Sequence, residues 1–346
     1  MMPVLLAVTL LVSAPPAAGM SAERLARIDA VVTESIAKKE CPGAVVLVGR
    51  HGKVVFRKAY GNRAVAPAVE AMTVDTVFDM ASLTKVVATA TSVMMLVEDG
   101  KIRLQDRVAK HIPEFASGGG ARDQVTIEEL LTHRAGLAAD DPMALYTGTR
   151  EEIFERKYRQ PLANAPGARF LYSDVGYEVL GELVRTVSGQ PLDEYAARHV
   201  FEPLGMTHTG FLPLSSLSKQ SLSLPLSHIA PTEKINGTIR RGAVHDPRAY
   251  ALGGGDDGTV SISLAVHDLA VPADKDDGAG TLLLRDRLRH DRVDAGEALR
   301  RHPHDFGRHD GEDGRLDDRK ERGDHGHHGL STPSAATIAR SSACVR

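Results

Sequence analysis

A break in composition at Gly255 limits what this chain can fold into more than any single motif does. The 92 residues from Gly255 to Arg346 hold 15 Asp, 12 Arg and 8 of the 15 histidines, with Phe306 as their single aromatic. The other 14 Phe and Tyr lie before Gly255, and tryptophan is absent. After Leu299 the apolar residues keep no period of 2 or 3.6, as in His302-Pro303-His304-Asp305. Such a segment buries too little apolar surface to offset the entropy of ordering it. The expectation is a folded region over residues 20–254 and an atypical tail over 255–346, either disordered or the product of a reading-frame shift near Gly254. With a shifted frame the chain would keep its N-terminal hairpin and lose the later strands, and two strands alone are marginal in water.

Charge sharpens the contrast. The tail carries −4 and the first 254 residues +1, for −3 overall. No cationic excess is available to displace phosphate counterions, so nucleic acid is not an expected partner. Cys41, next to Pro42, and Cys344 in the tail exclude a disulfide scaffold and a cysteine-only zinc site. The apolar run Val4 to Val12 is too short to span a bilayer and leads into Ser13-Ala14-Pro15-Pro16-Ala17-Ala18-Gly19. Residues 1–19 therefore read as a secretory leader, placing the protein in the periplasm or outside the cell. The alternative is a true start at Met20 and a cytoplasmic protein. No integral membrane segment is expected once the leader is removed.

In the middle of the chain, Leu25, Ile28, Val32 and Ile36 predict an amphipathic helix over Ala22 to Lys39. Valine-rich runs on either side of His51-Gly52 predict a β-hairpin. Ala81 to Asp99 is almost continuously apolar and stops at Gly100, which predicts a helix buried on all sides. Thr126-x-x-Glu129 and Thr149-x-x-Glu152 are capping boxes. Further helices are expected from Val175 to Ser188, ended by Gly189, and from Leu192 to Val200, and a loop from Ser215 to Ser227.

Ser82-Leu83-Thr84-Lys85 opens the apolar helix. Residues three apart share a helical face, so the amine lies beside the hydroxyl, where burial can lower its pKa and make it a base. The helix N-terminus adds a favourable field for an oxyanion. Ser35-Ile36-Ala37-Lys38 and Ser216-Leu217-Ser218-Lys219 repeat the spacing, one in an exposed helix and the other in a Ser-rich loop, and neither has this setting. The second element is Tyr172-Ser173-Asp174, just before the helix at Val175. A Tyr beside a lysine ammonium can carry a proton between nucleophile and leaving group. Asp174 is either a polar contact to substrate or the helix N-cap. Tyr60 reads as a hairpin residue.

The order Phe78-Asp79-Met80-Ala81-Ser82-Leu83-Thr84-Lys85, Leu130-Leu131-Thr132-His133, Gly136-Leu137, Tyr172 to Gly181 and Pro203-Leu204-Gly205-Met206 resembles the serine β-lactamase and penicillin-binding-protein superfamily. Its class C β-lactamase-related esterases are the nearest branch. The resemblance covers about Ser21 to Gly254. It implies an α+β fold, an antiparallel sheet with flanking helices plus an all-helical domain, here with the C-terminal part of the sheet missing. It also implies acyl transfer, in which Ser82 attacks a carbonyl, Lys85 and Tyr172 manage protons, and water releases the acyl group. The substrate would be an ester, a β-lactam or a peptidoglycan-like amide. In family sequences Asn often stands where this chain has Asp174. The family's late Lys/His-Thr-Gly strand has no counterpart in the tail, and His208-Thr209-Gly210 follows Met206 too closely to serve. A catalytically inactive remnant, binding penicillin or peptidoglycan, is the second reading.

No cofactor or metal is expected. The tail histidines lack a frame to hold ligand geometry, and Asp274-x-Asp276 with Gly278 fails the EF-hand spacing. Asp140-Asp141 reads as a solvated loop pair, and His133 as a group satisfying buried backbone. No Gly-x-Ser-x-Gly elbow and no phosphate-binding glycine loop occur.

Overall fold

The computed structural model describes residues 19–51, 53–211 and 226–252, with the backbone alone of 262–265 and 336–340. All of these belong to one compact unit, made of Met1–Pro272 and Ala336–Arg346. The loop expected over Ser215 to Ser227 falls largely outside the described residues, as do the leader, the Ser216-x-x-Lys219 repeat and the tail histidines.

Ser21 accepts from the amide of Arg24 and starts α1 (Ala22–Ala37). This helix lies on the hairpin of β1 (Gly43–Arg50) and β2 (Lys53–Ala64), in which Ala44 faces Tyr60 and Arg50 faces Lys53. Tyr60 is tied to that frame, its hydroxyl donating to Asp29 at 2.5 Å. Ser35 donates to Glu40 and Lys38 pairs with Glu34, both exposed, so the first repeat of the Ser-x-x-Lys spacing is surface decoration.

Beyond the hairpin come β3 (Glu70–Ala71), β4 (Val77–Asp79), β5 (Gly210–Phe211) and the small β6–β7 hairpin (Glu233–Ile235 and Thr238–Arg240). Two strands arrive from beyond Gly254: β8 (Ile262–Ala265) and β9 (Ala336–Arg340). The order is β3-β2-β1-β9 in one antiparallel sheet and β4-β8-β5 in another. Part of the C-terminal sheet is therefore present, drawn from a region whose composition does not announce strands.

The apolar segment after Ser82 winds as a π-helix over Lys85–Ala90 and then as α2 (Thr91–Glu98). The Thr91 hydroxyl donates to the carbonyl of Val86 at 2.9 Å, satisfying an acceptor in the widened turn. Burial on all sides is not observed. Lys85, Ala88, Thr89, Ser92, Val93 and Leu96 form one buried face, whereas Val86 and Met94 are exposed among the described residues. Next come α3 (Val108–His111), α4 (Ile127–Leu131) and α5 (Arg150–Tyr158), the last two opened by the two capping boxes, both complete. The long helix α6 (Asp174–Ser188) ends where Gly189 turns left-handed at φ +73°, and α7 (Leu192–Ala196) runs into another π turn. A short α8 (Pro247–Ala251) closes the described helices.

Leu180, Leu183 and Val184 of α6 are fully buried with Leu96, Phe115, Val125, Ile127 and Leu192. At about 1.5–3 kcal/mol for each large apolar side chain removed from water, this cluster fixes α6 against α2 and α4. The first turn of α6 is thereby held beside the N-terminal end of the π-helix, where Ser82 and Lys85 lie.

Candidate active site

Three local devices present Ser82. Ala81, just before it, has φ +45°, a left-handed conformation that is strained for an alanine. Asp79 holds that turn, its Oδ1 accepting from the Ala81 amide at 3.0 Å. The other oxygen, Oδ2, accepts from the His245 amide at 2.8 Å, so one carboxyl clamps the Ser82 turn to a segment 166 residues later. Burial pushes the Asp79 carboxyl above its ordinary pKa, although both amide bonds favour its ionised form.

Lys85 Nζ donates to Ser82 Oγ at 3.1 Å, as the i, i+3 spacing predicts. It also pairs with Asp174 Oδ1 at 2.6 Å, stands 5.2 Å from the centre of the Tyr172 ring, and hydrogen-bonds that side chain. Burial alone would depress the amine, the expectation drawn from the sequence. The Asp174 carboxylate and then Tyr172 outweigh it, so Lys85 titrates above the ordinary lysine value and is an ammonium at neutral pH. Asp174 is the first residue of α6, and the N-cap is Ser173, whose hydroxyl accepts from Gly176 N–H at 3.1 Å and donates to the Ala138 carbonyl. The cap alternative for Asp174 is thus corrected: the backbone is served by its neighbour, leaving the carboxylate for Lys85.

His133 supports this arrangement from behind. Its Nδ1 accepts from the Ser173 amide at 3.1 Å, and its ring lies 4.5 Å from that of Tyr172 and 5.1 Å from that of Tyr177. Burial and the Lys85 charge hold its pKa down, so the imidazole stays neutral and serves the backbone. Gly136, three residues on, has φ +76°, and a Cβ there would sit 2.2 Å from the Asn164 carbonyl oxygen, which is why a glycine closes this turn.

A cavity of about 90 Å³ opens at Ser82 and Lys85, lined also by Asp174, Glu178, His245, Asp246 and Arg248. A model of the Beta-lactamase family matches residues 28–337. The chain belongs to that family. The match continues past Gly254, where the resemblance carried by the motifs ends. A relative in Escherichia coli (strain K12), described as "Putative D-alanyl-D-alanine carboxypeptidase", is 33% identical over 291 residues, 75% of this chain and 65% of its own length. One from Salmonella enteritidis PT4 with the same description is 30% identical over 294 residues, 76% and 66% of the two chains. The chain thus spans about two thirds of these curated relatives.

Among solved structures, the hydrolase EstCE1, described as having promiscuous acyltransferase activity, superposes with a TM-score of 0.58 at 23% identity, over 71% of this chain and 70% of its own. The octameric penicillin-binding protein homologue from Pyrococcus abyssi gives 0.55 at 27%, over 71% and 55%. A class C beta lactamase from Rhodobacter sphaeroides gives 0.56 at 20%, over 71% and 64%. The fold is that of the β-lactamase-like proteins.

In this family member the structure brings together all four residues singled out in the sequence, Ser82, Lys85, Tyr172 and Asp174. It adds Asp79 and the stretch His245-Asp246-Pro247-Arg248. Asp79 could have been read from its place two residues before a turn, where Asp side chains bond the backbone. Asp141 departs from the solvated-loop reading. It is buried and pairs at 2.8 Å with Lys157, which also meets Glu178 and lies 2.8 Å from the Tyr146 hydroxyl. Burial pushes Lys157 down, but Glu178 and Asp141 more than offset it, and the ammonium persists. Arg248 joins this network to the cleft by donating to the Asp141 carbonyl at 2.9 Å. His208-Thr209-Gly210 leads into β5, and none of the three lines the cleft. Among the described residues no His, Cys, Asp and Glu cluster could hold a metal ion.

Proposed function

We propose that this chain is a serine hydrolase that forms an acyl-enzyme at Ser82. The observation that carries the reading is Ser82 Oγ at 3.1 Å from a buried Lys85 ammonium, itself held at 2.6 Å by Asp174 at the wall of a cleft. Ser82 Oγ attacks the substrate carbonyl as its proton passes to the Tyr172 hydroxyl oxygen, which gives up its own proton to the departing group. Because Lys85 is already charged, its part is to donate to Ser82 Oγ and stabilise developing negative charge, while Tyr172 receives and delivers the proton. Water then attacks the acyl carbonyl, releases the acid and restores Ser82. The cleft suits an ester, a β-lactam or a peptidoglycan-like amide, and the description of the curated relatives favours trying a peptide ending in D-alanyl-D-alanine first. Export to the periplasm or medium goes with such a substrate. No helix among the described residues is long and apolar enough to cross a membrane.

The test is intact mass after incubation with an activated ester and, separately, with a fluorescent penicillin. A covalent adduct that is absent in Ser82→Ala supports the reading, and turnover separates hydrolysis from trapping. No adduct with either reagent, or one that persists in Ser82→Ala, overturns it.

A further inference from the structure

The rings beside Lys85 do not end at Tyr172. The His133 ring lies 4.5 Å from that of Tyr172 and meets Phe170 edge-on at 5.8 Å, so three rings succeed one another from the ammonium. The backbone sets this up. Alternate amides, those of Leu171 and Ser173, donate to the His133 carbonyl at 2.9 Å and to its Nδ1 at 3.1 Å. That is the pattern of an extended segment, whose alternate side chains share a side. Phe170 and Tyr172 therefore both lie against the His133 imidazole, which burial and the Lys85 charge keep neutral. Both stay accessible, Phe170 at 65% exposure and Tyr172 at 43%. A phenyl ring left mostly in water contributes little to folding, and one joined through a neutral imidazole to the Tyr172 ring offers its surface to a ligand.

Tyr172 decides which end of a substrate meets these rings. It hands its proton to the departing group, so that group sits against Tyr172 when the bond breaks, and a ring it carries can reach His133 and Phe170. A charged departing group, such as an amino acid, gains nothing from two aromatic rings and a neutral imidazole, whereas an arylalkyl one buries its ring on them. We propose that Phe170, with His133 and Tyr172, forms a leaving-group subsite that selects esters of arylalkyl alcohols. The subsite rests on the acyl transfer proposed at Ser82. Ser82 Oγ bonds to the acyl carbon, and the bond from that carbon to the alcohol oxygen breaks. The released oxygen takes the Tyr172 hydroxyl proton while Tyr172 keeps the one from Ser82, so the alcohol departs neutral.

Three esters test it with the full chain: benzyl acetate, its isomer methyl phenylacetate, and methyl acetate, which carry a phenyl ring on the leaving group, on the acyl group, or on neither. Benzyl acetate should have a kcat/KM at least about tenfold above each of the others. Phe170→Ala should lower the ratio of benzyl acetate to methyl acetate about fivefold, and Phe170→Tyr, which keeps the ring, should preserve it. The ratio does not depend on how much of a preparation is folded, and the unfolding temperature of Phe170→Ala should match the parent's, its side chain being mostly in solvent. Saturation-transfer NMR of benzyl acetate on Ser82→Ala, with and without Phe170→Ala, reads the subsite without turnover, and loss of Phe170 should weaken binding about fivefold. No hydrolysis of any ester by the parent, or hydrolysis that persists in Ser82→Ala, refutes acyl transfer at Ser82 and leaves the subsite to the NMR titration. Equal rates for the two isomers, preference for methyl phenylacetate, an unchanged ratio in Phe170→Ala, or binding indifferent to Phe170 each overturns the subsite itself.

Discussion

Asp174→Asn isolates the ion pair that sets the charge of the Ser82 site. The pair is 2.6 Å long, with the ammonium 5% exposed and the carboxylate 29% exposed. At that separation and an effective dielectric near 20, the attraction amounts to about 6 kcal/mol. Removing the ammonium from water cancels several of these, and water on the open side of Asp174 screens part of the remainder. The expected net loss of stability at neutral pH is ~3 kcal/mol, because the substitution leaves a buried cation unpaired. It also reverses a pH dependence. In the parent chain Lys85 titrates above its unfolded value, so its contribution is complete below that value and fades as pH rises through the folded one. With Asp174 neutral, burial, already the largest single influence, is opposed by Tyr172 alone, so Lys85 is expected to fall below the unfolded value and stability to rise with pH between the two. Urea denaturation of the parent, Asp174→Asn, Lys85→Met and the double variant, at steps from neutral to alkaline pH, reads both effects. A coupling energy of at least ~2 kcal/mol is expected, the double variant losing less than the two singles together. Additivity within ~0.5 kcal/mol, or an Asp174→Asn stability that falls with pH as the parent's does, would refute the reasoning.

Two further outcomes follow from charges away from the nucleophile. Lys157→Met should cost ~3–5 kcal/mol in urea denaturation by stranding Asp141 and Glu178 in the interior, and adding Asp141→Asn and Glu178→Gln should recover most of it. Lys110, aided by His111, holds the Asp106 carboxyl at about 2, so its contribution is present above the unfolded value of 3.8 and is lost as pH falls from there through the folded value. Acid titration of stability should show Asp106→Asn ~1 kcal/mol below the parent at neutral pH, the partner Lys110 being exposed, with the gap closed at the acid end.

What was legible in the residues was local. The hairpin about His51, the two capping boxes and the stop at Gly189 each depend on neighbours a few positions apart, and all are present. Ser82 with Lys85 was legible for the same reason, since a helical turn joins them. The charge of Lys85 was not, because it is decided by Asp174, whose approach depends on how α6 packs against α2. The exposed outer face at Val86 and Met94 escaped a reading from apolar content, which does not say what lies opposite. Asp141 looked like loop because its cation, Lys157, comes from a helix sixteen residues later. Strands β8 and β9 have no aromatic residues, and they become strands through the edges of β4 and β1 that they meet.

The pairing of β4 with β8 gives the order of biosynthesis a bearing on the nucleophile. Val77, Phe78 and Asp79 face Ala265, Leu264 and Ser263, and the Asp79 clamp reaches the amide of His245. A ribosome that has made Ser82 must add more than 180 further residues before the strand leading into it finds its partner. Until then the emerging chain carries an unzipped edge, its turn gains its clamp only once His245 is made, and closing so long a loop is a slow, non-local event. Assembly of the nucleophile is therefore set by the far end of the polypeptide, and any chain released before Ser263 leaves the ribosome with Ser82 in hand and no strand to seat it.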